Sequence, residues 1–322
     1  MDVSAEAMEG TPGETACRTL DVTVLMGGPS SECEVSLLSG AAIADALERL
    51  GHRVRRADIC PRDVSALDRE GIDLVFIALH GAFGESGEVQ ALCEQRGLAY
   101  TGAGPRASRL ALDKAAAKQL IRQAGLATPD WVIVEEFHSL PQARVWLSGL
   151  ELPVVLKPVD GGSSVDVTIA HDAQGRDAAL EALLDRYGRA FVERFVPGRE
   201  LTVGILGDDA LPVLEVVPAE GFYDYHAKYA DDAGTRYVFD HGLPEATCRG
   251  VQDAALTAHR ALGCRDLSRV DFVLDEFGTP QLLEINTIPG FTSHSLLPMA
   301  AARVGLDFDA LVERIVELAT SR

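Results

Sequence analysis

From residue 21 the chain reads strand, glycine turn, helix, strand, and then begins again. That alternation restricts it to folds built on a parallel sheet with helices on its faces. The apolar run 21–26 stops at Gly27-Gly28-Pro29-Ser30. Ser31 and Glu34 then have the spacing of a capping box, and Val35, Leu38, Ala42, Ala46 and Leu50 fall on one helical face. Strands over 52–57 and 73–79, a helix over 89–96 and a short run at 98–101 continue the pattern. In sheets of this kind ligands gather at the carboxyl ends of strands. Gly27-Gly28 and His80-Gly81 stand at two such ends.

Beyond Thr101 the pattern changes. Gly102-Ala103-Gly104-Pro105 punctuates the chain, and a single helix is predicted over 108–124, followed by strands over 131–134, 152–157 and 165–170. Further strands at 200–206, 213–217, 270–274 and 281–286 alternate with helices at 250–262 and 309–320. The reading is therefore mixed α/β and α+β, with an acidic, mobile tail at 1–19 followed by three units: an N-terminal parallel α/β unit at 20–103, a central unit at 104–193 and a C-terminal unit at 194–322. The length of 322 residues suits such a division.

Charge and composition exclude several functions. With 49 acidic against 29 basic residues the formal net charge is −20, which opposes binding to nucleic acid or an anionic membrane. No apolar run approaches the roughly 18–20 residues that span a bilayer. The acidic N-terminus has neither the positive nor the apolar region of a secretory signal. Six scattered cysteines without close pairs read as reduced thiols, which places the chain in the cytoplasm. An anionic ligand would need local positive charge or a metal.

The most informative segment runs from Arg269 to Asn286. Two alternating runs flank Gly278 and read as an antiparallel hairpin. A turn centred on Phe277-Gly278 sets Asp271 opposite Glu284, with Asn286 and Arg269 on the same face and Val270, Phe272, Leu283 and Ile285 on the apolar one. Directly opposed carboxylates are destabilising unless a cation sits between them. Asp271, Glu284 and Asn286 suit Mg²⁺, with Mn²⁺ as its substitute, and a hard ion with few protein ligands points to a nucleoside triphosphate. A solvated hairpin face is the alternative. Lys157, in an apolar strand before Pro158, precedes the loop Gly161-Gly162-Ser163-Ser164, whose backbone donors could close over phosphates. Lys114 and Lys118 share a helical face that reads by default as solvated. Glu193, in an apolar run, is a surface acid or a hinge residue reading an adenine edge.

Together these segments resemble the D-alanine–D-alanine ligases of the ATP-grasp superfamily. The carriers are the run from Gly27 through Glu32 to Ser36, Ala78 to Gly81, Leu156-Lys157-Pro158 with Gly162 to Val165, Phe222 to Tyr229, Arg269-Val270-Asp271, and Leu283 to Ser295. The resemblance runs from about residue 20 to the C-terminus. It implies a three-domain ATP-grasp fold and ATP-dependent joining of two D-alanines, through an acyl phosphate, for peptidoglycan precursors.

By the same resemblance, Glu32 binds the ammonium of the first D-alanine and His80 lies near its carboxylate. Arg269 and the Gly290 N–H stabilise the tetrahedral oxyanion. Lys228, Ser295 and the Leu296 N–H hold the second carboxylate, while Tyr229 and Ser163 bond toward Glu32. Lys114, Lys157, Gly162, Ser163 and Ser164 face ATP phosphates, Glu193 and Val196 the adenine, and Glu200 the ribose. Asp271, Glu284 and Asn286 hold the metal, and a homodimer is implied. The chain departs from the family pattern at Asp166, where a glycine is usual, at Ser86, where an aspartate is usual, and at His226, where a glutamate is common. Asp166 sets a carboxylate beside the phosphate loop.

Three other readings compete with this one. D-lactate or D-serine could be the acceptor, although Tyr229 resembles the dipeptide-forming type. A non-catalytic ATP-binding module predicts damage to Lys157, Arg269 or the metal set, and all are intact. A nicotinamide dehydrogenase is prompted by Gly27-Gly28, but the phosphate-binding GxGxxG pattern is missing there.

Overall fold

A computed structural model describes residues 18–162, 166–219, 234–292 and 294–322. The first unit is a parallel sheet of β1 (Asp21–Met26), β2 (Arg53–Asp58) and β3 (Leu74–Ile77) in the order β2-β1-β3, with Tyr100 bridging in parallel to Val75 beyond β3. Helix α1 (Cys33–Arg49) covers one face and α2 (Glu88–Gln95) belongs to the core on the other. Two expectations for α1 fail. Its N-cap is Glu32 and no side chain caps it, so Ser31 and Glu34 form no capping box. The expected face fails at Leu38, which is 58% exposed; Val35 and Ala46 are buried as expected, together with Ser36, Ser39, Gly40, Ile43 and Leu47. Small residues face the sheet because the helix lies close to it: a Cβ on Gly40 would stand 2.4 Å from the Cβ of Met26.

The single helix expected at 108–124 is two, α3 (Pro105–Leu112) and α4 (Lys114–Gln123), broken at Asp113. Asp113 leaves helical geometry and its side chain accepts the Ala116 N–H, so it is the N-cap of α4 rather than an interior residue. A four-stranded antiparallel sheet follows, of β4 (Trp131–Glu135), β5 (Val154–Lys157), β6 (Thr168–Ala170) and β7 (Arg189–Arg194) in the order β4-β7-β5-β6. Helices α5 (Leu140–Leu147) and α6 (Ala173–Tyr187) close one face, over Val134, Val154, Leu156 and Val192. Strand alternation turns Val155, Lys157, Phe191 and Glu193 to the opposite face.

The largest sheet holds β8 (Gly198–Leu206), β9 (Asp209–Ala210), β10 (Leu214–Val217), β11 (Arg236–Val238), β12 (Leu267–Asp275) and β13 (Pro280–Asn286), with order β11-β10-β8-β12-β13 and β9 beside β8. Helix α7 (Glu245–Leu262) packs on it together with Ala117 and Ile121 of α4. The last helices, α8 (Leu296–Arg303) and α9 (Phe308–Thr320), return to the N-terminal sheet and share its core with Val22, Val24 and Ile43. Among the described residues no helix is long and apolar enough to cross a membrane. The five described cysteines are free thiols.

The β12–β13 hairpin pairs Arg269 with Asn286, Val270 with Ile285 and Asp271 with Glu284, then shifts register before pairing Phe272 with Leu282. A β-bulge therefore sits at Leu283. The turn is tied by the Asp275 carboxylate, which accepts the N–H groups of Phe277 and Thr279. One consequence corrects the sequence reading: Leu282, not Leu283, joins Ile285, Val270 and Phe272 in the core, and Leu283 turns to the cleft.

Candidate active site

Two adjoining cavities lie among the three sheets and share part of their lining. The larger, about 420 Å³, is clasped between the free face of the four-stranded sheet and the large sheet. Val155, Lys157, Ile169 and Glu193 line it from one side, and Glu200, Thr202, Asp271, Val273 and Leu283 from the other, with Val196 at its edge. The smaller, about 90 Å³, is lined by Glu32, His80, Glu85, Arg269, Asn286, Gly290 and Ser295. Lys114, Gly161, Gly162, Glu284 and Leu296 line both. An apolar slot thus adjoins a polar chamber.

The described lysines at and behind the slot are buried. Lys114 and Lys118 do share a face of α4, but that face is turned inward: they are 7% and 1% exposed, which overturns the solvated reading. The Lys114 ammonium donates to the Gly161 carbonyl, and burial pushes its pKa down, against the pull of Glu284. Glu193 is held between two cations: Lys118 Nζ donates to Oε2 at 2.6 Å, and Lys157 Nζ donates to Oε1. Burial alone would raise the Glu193 carboxyl; the two ammonium groups more than reverse this and hold it at about 2. Burial lowers Lys118 to about 8 despite that partner.

Where slot meets chamber, Asp271 and Glu284 face each other across the ladder. Arg269 grips Asp271 with a two-pronged pair, Nε to Oδ1 at 2.9 Å and Nη2 to Oδ2 at 2.7 Å. The hydroxyl of Thr202, the residue paired with Asp271 on β8, donates to Oδ1 at 2.6 Å. Asn286 Oδ1 accepts the Ile288 N–H at 2.9 Å. Among the described residues no three His, Cys, Asp or Glu side chains gather as a self-sufficient metal centre. Two opposed carboxylates and an amide are the hard-oxygen set of an ion that also binds phosphate.

The chamber is fixed by its turns. His80 Nδ1 lies 3.0 Å from the Ile288 carbonyl, which only accepts, so that nitrogen carries a proton; Nε2 lies 3.2 Å from Ser39 Oγ. Ser39 in turn accepts the Phe291 N–H at 3.1 Å, tying α1 to the segment after β13. Ser30 Oγ donates to the His80 carbonyl and accepts the Glu32 N–H, which sets Glu32 at the chamber wall. A Cβ on Gly162 would come within 2.9 Å of the Glu32 carboxylate, so Gly162 lies directly against Glu32. Ser295 Oγ accepts the Thr292 N–H at 2.8 Å, and Ser295 and Leu296 stand at the N-terminus of α8, which faces the chamber.

The structure therefore brings together Glu32, His80, Lys114, Lys157, Gly162, Glu193, Val196, Glu200, Arg269, Asp271, Glu284, Asn286, Gly290, Ser295 and Leu296 around the two adjoining cavities. Ser163, Ser164, His226, Lys228 and Tyr229 lie outside the described residues. Asp166 adopts φ +54°, a left-handed conformation that aspartate tolerates better than most residues. Its carboxylate bonds to the Tyr187 hydroxyl and pairs with Arg186 at 2.7 Å on α6. Lys118, Thr202 and Ser39 were not foreseen in the site. The signal for Lys118 was its place one turn beyond Lys114 on the same face.

Comparison with known proteins agrees. The family model described as D-ala D-ala ligase C-terminus matches residues 120–317. The D-alanine–D-alanine ligase of Pelotomaculum thermopropionicum is 42% identical over 310 residues, covering 94% of this chain and 97% of that protein. The enzyme of the same name from Anaeromyxobacter sp. strain K is 44% identical over 299 residues, covering 92% and 96%. Among solved structures, the D-alanine–D-alanine ligase of Bacillus anthracis complexed with ATP superposes with a TM-score of 0.82 at 29% identity, covering 94% of this chain and 98% of that one. The VanG D-Ala:D-Ser ligase of Enterococcus faecalis gives 0.83 at 28%, covering 94% and 100%. With its two-sheet slot, polar chamber and near-full-length kinship, the chain belongs to the D-alanine–D-alanine ligase family.

Proposed function

We propose that the chain joins two D-alanines to D-alanyl-D-alanine at the expense of ATP, supplying a peptidoglycan precursor in the cytoplasm as a homodimer. The observation that carries this is the direct opposition of Asp271 and Glu284 at the mouth of an apolar slot containing buried lysines. A carboxylate is a poor electrophile. In this reading the carboxylate of the first D-alanine attacks the terminal phosphoryl group of ATP, ADP departs, and an acyl phosphate remains. The amine of the second D-alanine then attacks the acyl carbon, and phosphate leaves. Positioning and neutralisation of charge do most of the work in such transfers.

Residue by residue, Lys114 and Lys157 neutralise phosphate oxygens, with Gly162, Ser163 and Ser164 as further phosphate-binding residues. Glu193 and Val196 address the adenine and Glu200 the ribose. Glu32 holds the first ammonium, with Ser163 and Tyr229 bonding toward it, and His80 stands by the first carboxylate. Arg269 and the Gly290 N–H meet the oxyanion. Lys228, Ser295 and the Leu296 N–H, at a helix N-terminus, hold the second carboxylate. Asp271, Glu284 and Asn286 would hold Mg²⁺ or Mn²⁺, which when bound offsets the charge of the transferring phosphate.

The test is phosphate release from ATP with Mg²⁺ and D-alanine, run beside L-alanine, D-serine and D-lactate. D-alanyl-D-alanine as the main product supports the reading. No phosphate release with D-alanine would return the chain to a non-catalytic nucleotide binder, and preferential D-serine or D-lactate incorporation would reassign the acceptor.

A further inference from the structure

Lys118 lines neither cavity, is 1% exposed, and still carries an ammonium group into the protein. It lies 5.6 Å from the Trp131 ring centroid and 5.7 Å from that of Phe191, two rings stacked within 9° of parallel. Its polar contacts are the Pro129 carbonyl at 3.3 Å and Glu193 Oε2 at 2.6 Å. Packing alone does not call for an ammonium there. Buried ion pairs are often replaced by apolar groups of similar volume at no cost, and a methionine would fill this aromatic niche. Its residue type is also unusual here. The chain has four lysines, Lys114, Lys118, Lys157 and Lys228, every other cationic side chain apart from histidine being arginine. All three described lysines are buried, Lys114 and Lys157 lining the slot and Lys118 behind it.

We propose that Lys118 is the counter-cation of Glu193 and, by neutralising that carboxylate from behind, leaves the charge of Lys157 available to phosphate. It is a positioning residue, and the assignment rests on the reading of the slot as the ATP site. The charge count carries the argument. Glu193 and Lys157 alone form a neutral pair, because the carboxylate, 3% exposed, has little solvent to screen it and would take the whole of its neighbour's charge. With Lys118 on the other oxygen the trio is +1, and the surplus lies at Lys157, the lysine of the two that reaches the cavity. A compact ammonium suits a gap between two rings and one carboxylate oxygen better than a planar guanidinium does. The register provides for the arrangement: Lys157 pairs with Phe191 and Val155 with Glu193, so Lys157 and Glu193 are diagonal neighbours on one face, and α4 brings Lys118 in from the far side.

The test uses the full chain with Mg²⁺ and compares calorimetric affinities for ADP and adenosine. Their ratio isolates the phosphate contribution and cancels effects on the base. In Lys118→Met the ratio should fall by about tenfold or more, while the KM for D-alanine stays within about twofold. In Lys118→Met/Glu193→Gln, with the carboxylate gone, Lys157 regains its charge and the ratio should return most of the way. An unchanged ratio in Lys118→Met, or a double variant as weak as the single, overturns the assignment and makes Lys118 structural. Should Lys118→Met fail to unfold cooperatively, the double variant is compared with Glu193→Gln alone: equal ratios support the assignment and a further fall refutes it. A wild type that binds neither ADP nor adenosine overturns the ATP-site reading itself.

Discussion

Replacing Glu284 with glutamine separates the cost of the site from its use. In the ligand-free protein two effects oppose each other. The change relieves the like-charge opposition to Asp271, worth about 0.2–1 kcal/mol for directly paired residues. The gain falls at the low end of that range because Arg269 and Thr202 already hold both Asp271 oxygens at 2.6–2.9 Å. Against it, Lys114 loses the carboxylate that most favours its charged form. Glu284→Gln should therefore remain within about 1 kcal/mol of wild type. At no more than about 2–4 °C per kcal/mol for a chain of this size, that is a small shift in Tm. The liganded protein should differ sharply. With Mg²⁺ and ADP at about 100 times Kd, wild type gains about 2.7 kcal/mol; a hundredfold loss of affinity leaves the variant about 0.4 kcal/mol. Turnover should fall at least about a hundredfold, the order expected when one element of charge stabilisation is removed. Differential scanning fluorimetry with and without MgADP, paired with phosphate release, reads both effects. A variant that keeps the wild-type ligand shift, or that loses several kcal/mol without ligand, would show that Glu284 is a fold residue and that its opposition to Asp271 has another purpose.

The bulge and the buried trio make two further predictions. Leu282→Ala should destabilise the protein by about 2–5 kcal/mol, since Leu282 is 0% exposed in the large-sheet core. Leu283→Ala should leave urea stability within about 1 kcal/mol yet raise the KM for ATP several-fold; strict strand alternation predicts the opposite order, and finding it would remove the bulge. The folded pKa of Glu193, depressed from 4.5 to about 2 by Lys118 and Lys157 against the effect of burial, implies stability that is fully present above about pH 4.5 and lost as pH falls toward 2. That is about 3 kcal/mol by linkage. Glu193→Gln should therefore show a flatter acid limb in urea titrations between pH 5 and 2, and an acid limb as steep as wild type would refute the pairing.

Much of this molecule is legible in its sequence because strand alternation is local. The pairing of Asp271 with Glu284 follows from counting back from the Gly278 turn, whereas the buried diagonal of Lys157 and Glu193 depends on two strands far apart in the chain and was not foreseen. The count nevertheless succeeds through two cancelling errors. The turn is tied from Asp275 to Thr279 and so centres on Phe277, and the extra residue at Leu283 restores the register before it reaches the site. Adjacent leucines at 282 and 283 hide that extra residue, since either could serve the core. On α1 the same reliance on large apolar side chains chose Leu38, whereas close approach to β1 requires the small ones, Ser36, Ser39 and Gly40.

Burial of charge is the deeper limit on reading this site. A lysine on a helix is assigned to solvent because that is where an unpaired ammonium is cheapest. No local pattern around Lys118 announces a carboxylate 75 residues away. The information lies in the contrast with the rest of the chain. A protein of formal charge −20 that meets its surface needs with arginine, and retains lysine at only four positions, shows by residue type where a compact, desolvated cation is required. Two of the four line the slot and a third stands behind it on Glu193, where their ammonium groups oppose the global negative field over distances too short for salt to screen. The acidic balance that argues against anion binding by the whole surface thus concentrates the search for an anion site onto the few lysines that remain.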